Sequence, residues 1–414
     1  MRKENPKGAK KNVNQSKLDK SGEIALYYGF NTKSTPEITK SDVLLAKTLM
    51  EGDFVDPDLE NSDMRLPLHV EEKVAILRSY LEEKLDEGPQ PILLYFRGNF
   101  KGHLNKKADK FNRFCDLDII GSNKSIAEAT LIQTATVMLK EAGYENLQVE
   151  INSIGDKDSI ALFARDLTAY YRKNLSELDP ACRQTFKVDP FELLSCHKEA
   201  CKEINIHAPK STVYLSDKSR THFMEVLEYL QSLGISYIIN ERLIGNRKYC
   251  SETIYEIKGS EKGEIKMKTL AVGVRYDGLA KKIGHKREIP GVGVSILLKN
   301  DPKNELQKIV KKIKKPAVCF IQLGFEAKLL SLKIIEILRN ANIPVYHALC
   351  RDKLSSQIAT AEKLNIPLTI LVGKKEVVEG TVIVRKMSNH AQEIIKLDDL
   401  SVYMKKAVKG LDEK

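Results

Sequence analysis

The chain has 414 residues, 42% of them hydrophobic and 30% charged, with a formal net charge of +11. That length predicts two or three soluble domains; no apolar run approaches the ~20 residues that span a bilayer, and the polar start "MRKENPKGAKKNVNQSKLDK" lacks the apolar stretch of a secretory signal. The seven scattered cysteines make no disulfide framework and suit a reducing, cytoplasmic setting, while the positive balance favours a polyanionic partner.

Residues 1 to about 20 lack hydrophobic periodicity and predict a flexible basic arm. "SGEIALYYGFNTKSTPEI" reads as a helix end, a turn at Gly29 and a strand stopped by Pro36. In "VEEKVAILRSYLEEKL", Val70, Val74, Leu77 and Leu81 fall near helical spacing among charges. "PILLYFRGNF" and "RFCDLDIIGS" flank the polar "KGHLNKKADKFN", predicting an antiparallel hairpin with a long basic loop. A helix stopped by Gly143 follows, then the strand "NLQVEINSIG". Residues about 157–235 read as mostly helical, ending at Gly234. "IINERLIGNRKYCSETIYEI" (238–257) and "EIKMKTLAVGVRYDG" predict strands, "PGVGVSILLKN" opens as a glycine-rich turn, and "NDPKNELQKIVKKIKKP" reads as a linker. After Pro316, short strands such as "AVCFIQLG" and "PLTILVG" alternate with helices, the pattern of a small α/β domain with a mixed sheet.

Two clusters have the residue types of metal ligands. Asp116 and Asp118 alternate with Leu117 on a strand, and plain structural roles are expected for them. Cys182, Cys196, His197, Cys201 and His207 offer zinc-like donors, but Cys-x4-Cys lacks the tight paired spacing of a zinc module, so no metal is expected.

From about residue 20 to 404 the chain resembles histidyl-tRNA synthetase, a class II aminoacyl-tRNA synthetase. "YYGFNTKSTPEI" is similar to the family's first motif, and "YFRGNF" with "RFCDLDIIGS" to the second, a hairpin whose loop meets ATP and the tRNA acceptor end. "INSIGD" and "VDPFELLSC" match family turns; "NERLIGNRKYCSETIYEI" and "VGVRYDGL" match the histidine-binding signatures; "GKKEVVEGTVIVR" falls in a unit similar to the anticodon-binding domain. The resemblance implies an α+β fold: a class II antiparallel-sheet core over 21–300 with a helical insertion at about 157–235, a linker at 301–315, an anticodon-binding-like α/β domain at 316–404 and a tail at 405–414. A homodimer and a tRNA or other structured RNA partner are implied with it.

The family's chemistry, histidyl-adenylate formation from histidine and ATP with Mg²⁺, rests on positioning and on positive charge aimed at the reacting phosphate. Of the three arginines the family supplies, Arg97 matches one, as a catalytic and ATP-binding residue; Gly245 stands where the second belongs and Asn300 where the third does. Glu71 and Tyr249 fit histidine-binding positions, but Phe114 replaces a glutamine, Cys250 a tyrosine, Lys248 an acidic residue and Gly273-Val274 a glycine pair. Losing one such donor typically costs ~10²–10³ in rate. Arg247, two residues past Gly245 on a strand, could point the same way and substitute. Bland roles stand beside these: Arg97 as a surface arginine, Glu71 on a solvated face, Tyr249 in sheet packing. Lys101, Lys106 and Lys107 in the hairpin loop are candidate tRNA contacts.

The expected function is therefore that of a tRNA-binding paralogue with a degraded adenylation site. The alternatives are a divergent active histidine–tRNA ligase using ATP and Mg²⁺, and a regulatory subunit of the ATP phosphoribosyltransferase type. Relatives of that last kind characteristically lack the C-terminal domain present here.

Overall fold

The computed structural model describes residues 18–50, 70–98, 112–196, 198–299, 309–310 and 316–412. Most of the basic arm, Lys101, Lys106 and Lys107, His197, Asn300 and most of the linker lie outside the described residues.

The strands of the core are β1 (Leu18–Asp19), β2 (Asn31–Lys33), β3 (Ile92–Arg97), β4 (Asn112–Ile120), β5 (Tyr144–Gly155), β6 (Tyr237–Ile239), β7 (Ser251–Glu261), β8 (Lys268–Arg275), β9 (Gly291–Lys299) and β10 (Ile309–Val310). Its helices are α1 (Lys20–Tyr27), α2 (Lys40–Met50), α3 (Val70–Glu82), α4 (Ile126–Glu141), α5 (Lys157–Lys173), α6 (Pro180–Val188), α7 (Glu199–Ile206), α8 (Asp217–Ser232) and α9 (Leu279–Lys282). An eight-stranded sheet runs β2-β3-β4-β9-β8-β7-β5-β6, antiparallel except for the outer pairs β2/β3 and β5/β6. β3 and β4 form the expected hairpin, with Arg97 opposite Cys115.

Side-chain alternation along these strands divides the sheet into two faces. Tyr95, Leu117, Val294 and Tyr255 lie in one register row on the back face, which α1, α4 and α8 cover. Leu94, Asp118, Gly293 and Val274 make the next row, on the front face. Helix α3 and the helical insertion pack there. Every residue of α4 from Ile126 to Leu139 is buried, because α4 lies between the sheet and the C-terminal unit rather than on a surface.

That unit has β11 (Val318–Gln322), β12 (Val345–His347), β13 (Leu368–Val372), β14 (Thr381–Lys386) and β15 (Gln392–Lys396) in the order β12-β11-β13-β14-β15, mixed as expected. Its helices are α10 (Phe325–Asn340), α11 (Leu354–Lys363), α12 (Lys374–Glu379) and α13 (Leu400–Asp412). It shares an apolar core with the back face: the Tyr28 hydroxyl donates to Glu336, Arg339 joins Glu141 to Glu336, and Arg351 Nε donates to the Gln90 carbonyl at 3.2 Å.

Within the segment read as a linker, β10 pairs antiparallel with β1. One expectation changes. The segment 240–250, read as strand, is a chain of turns between β6 and β7.

Candidate functional site

Helix α3 carries Lys73 down onto the front face. Its ammonium lies 2.9 and 3.1 Å from the two oxygens of Asp118 and 3.4 Å from Asp116 Oδ1, all three side chains being fully buried. Tyr276 donates its hydroxyl to Asp118 at 2.7 Å and Ser295 donates to Asp116 at 2.5 Å. The register requires glycine at 293, where a Cβ would come within 2.0 Å of Asp118 Oδ1 and 2.8 Å of Lys73 Nζ. Burial alone would push Lys73 down, but the Asp118 and Asp116 charges overcome it and hold the amine up as an ammonium. Burial and the neighbouring Asp116 push Asp118 upward against Lys73. Two carboxylates share one cation. Asp116 and Asp118 thus face the Lys73 ammonium, and the sheet centre is filled by Lys73, Phe96, Ile120, Val274 and Tyr276.

On the back face a second polar cluster lies inside the apolar core. Arg275, in the "VGVRYDGL" element, grips Glu128 of α4 with two 2.7 Å hydrogen bonds and also donates to Asp277 and the Ser122 carbonyl. His222 Nε2 lies 2.7 Å from Glu128. Burial would raise the Glu128 carboxyl, but Arg275 and then His222 hold it down at about 2. Burial lowers His222, and Glu128 outweighs that to raise it.

An anticodon-binding-domain family model matches residues 317–407. The histidine–tRNA ligase of Bacillus subtilis is 30% identical over 397 residues, covering 92% of this chain and 92% of the relative. The chain belongs to the histidine–tRNA ligase family. The histidine–tRNA ligase of Pelotomaculum thermopropionicum is 27% identical over 403 residues, 94% of this chain and 92% of that protein. The apo histidyl-tRNA synthetase structure from S. aureus shares the fold, with a TM-score of 0.50 at 22% identity over 92% of this chain and 93% of that one.

The positions that the histidine–tRNA ligase resemblance singles out are dispersed. Arg97 lies in the back-face row with Cys115 and Ile296, and its Nε is 2.8 Å from Asp19, the buried residue that caps α1. Lys73 and its two aspartates are on the opposite face. Glu71 occupies the first turn of α3, half-buried, two residues before Lys73. Tyr249 and Cys250 are buried in the front-face apolar cluster. Phe114 pairs with Leu297 between β4 and β9.

Gly245 adopts φ +61° in the turn, and a Cβ there would meet Ile254 Cδ1 at 2.8 Å. Asn246 accepts from the Lys248 amide at 2.8 Å and donates to the Leu49 carbonyl at 3.0 Å, tying the turn to α2. Arg247 does not follow Gly245 on a strand as expected: it pairs with Asp189 and lies 3.8 Å over the Phe191 ring, both in "VDPFELLSC". Its guanidinium holds the turn against the insertion.

Nothing in the sequence marks Lys73 as a central residue, since one lysine in a helix of charges looks like its neighbours. Arg275 carried a detectable signal, an arginine inside an otherwise apolar strand. A groove of about 870 Å³ opens elsewhere, between α8 and the β6 edge, lined by residues including Arg220, Met224, Ile238 and Arg242.

Proposed function

We propose that this chain uses the histidine–tRNA ligase architecture to bind tRNA and does not activate histidine efficiently. The observation that carries the proposal is the Lys73 ammonium seated on Asp118 and Asp116 at the centre of the front face. A free amino acid competing for that face would have to displace a buried, doubly paired cation, which costs several kcal/mol. The glycine at 245, in a conformation hostile to arginine, and the asparagine at 300 remove cationic stabilisation of the reacting phosphate. Arg97 reaches a nucleotide in this proposal only if it leaves Asp19.

The match over 317–407 supports tRNA as the partner. Lys101, Lys106 and Lys107 are assigned to its phosphates, Glu71 and Tyr249 to what remains of the histidine pocket, and the protein acts in the cytoplasm as a homodimer.

Coverage of 92% of the length of a relative named a histidine–tRNA ligase favours a second reading, a divergent ligase with ATP and Mg²⁺ as co-substrate and cofactor. Charging of tRNA with labelled histidine, run beside a tRNA gel shift, separates the two. A shift without charging is expected; charging well above background sinks the proposal in favour of the ligase.

A further inference from the structure

Three cysteines far apart in spacing converge in the helical insertion. Cys182 is the third residue of α6, Cys196 ends the 3-10 turn Pro190–Ser195, and Cys201 is the third residue of α7. Their sulfurs all lie within 4.8 Å of one another, with Cys182 3.6 Å from Cys196 and 3.0 Å from Cys201. All three are free thiols.

We infer that Cys182, Cys196 and Cys201 form a binding site for a thiophilic divalent cation, zinc in the first place, that clamps α6 to α7. Tetrahedral zinc with Zn–S of ~2.3 Å places its sulfurs roughly 3.8 Å apart; the 3.6 Å between Cys182 and Cys196 is close to that, the 3.0 Å between Cys182 and Cys201 has to open to reach it, and both are far from the ~2.05 Å of a disulfide. Three thiols also cannot all be consumed as disulfides within the cluster. The backbone presents them independently of any bound ion: Asp179 caps α6 by accepting from the Ala181 and Cys182 amides, and the Cys196 amide closes its turn on the Leu193 carbonyl at 3.1 Å. The Asp179 carboxylate lies 3.5 Å from the Cys182 sulfur but outside the three-sulfur cluster, so the fourth coordination position is assigned to water, reached past half-buried Cys196. Lys198, paired with Asp179 at 3.0 Å, places a positive charge beside Cys182 and Cys196, where it offsets the excess negative charge of three thiolates around a dication.

The histidine positions weighed from the sequence are not needed. His207 caps the end of α7, exposed and outside the cluster, and His197 lies outside the described residues. The expectation of no metal rested on sequence spacing; folding brings Cys196 to Cys182 across a gap of thirteen residues.

The test is cobalt and zinc titration of the unmutated full-length chain under reducing conditions, with Cys201→Ser beside it. The inference predicts about one equivalent bound per chain, thiolate-to-cobalt charge-transfer absorption displaced by zinc, and loss of both in Cys201→Ser. Absence of charge-transfer absorption in the wild type overturns it whether or not the variant folds. So does an intact mass showing Cys182 and Cys201 joined as a disulfide in the native protein.

Discussion

An ammonium buried without charge partners costs several kcal/mol, and Lys73 meets that demand with Asp118 and Asp116, which also accept from Tyr276 and Ser295 respectively. Lys73→Met keeps the volume and removes the charge, leaving two buried carboxylates without their cation. We expect a loss of roughly 3–5 kcal/mol in urea unfolding; an unchanged midpoint would show that the ammonium does not hold the front face. The Glu128 cluster sets the pH dependence. Glu128 is depressed from 4.5 to about 2, so its contribution is present above pH 4.5 and lost as pH falls toward 2. His222 is raised above 6.5, so its contribution is complete below that pH and lost as pH rises through the folded-state value. Stability of His222→Gln should accordingly be lower than wild type below pH 6.5 and should converge with it at higher pH; parallel curves would contradict the assignment. Motif positions such as Arg97, Glu71 and Tyr249 were legible in the sequence because neighbours mark them. Lys73 was not, because its partners lie 43 and 45 residues away.

At the scale of elements, the β3–β4 hairpin, α4 and the mixed C-terminal sheet were legible from period-2 and helical spacing. The segment 240–250 was not. Its apolar and charged residues pass for a strand, while the structure makes turns closed by Asn246 and pinned by the Arg247–Asp189 pair. This geometry bears on any attempt to restore the family's arginine. Gly245→Arg forces a side chain into a left-handed conformation and against Ile254, which we expect to cost roughly 1–3 kcal/mol in stability without producing histidine activation. A stable, active Gly245→Arg protein would show that the turn readily takes another form.

Across the whole molecule, the order of domains could be read from motif order, but their docking could not. The Tyr28–Glu336 and Arg339–Glu141 contacts join residues about 200 to 300 positions apart, which no local pattern records. Among the described residues, no helix is long and apolar enough to cross a membrane. For RNA binding, replacing Lys101, Lys106 and Lys107 together by Ala should weaken tRNA affinity and reduce the log–log salt slope by about 2, as expected for three lost phosphate contacts. An unchanged slope would remove the hairpin loop from the interface.

The measurement that bears most directly on the proposed loss of histidine activation is histidine-dependent pyrophosphate–ATP exchange by the purified wild-type chain. Exchange no higher than in the absence of histidine is the predicted result. Saturable, histidine-dependent exchange well above that background would contradict it, since histidine must then reach a front face that Lys73 is held to occupy.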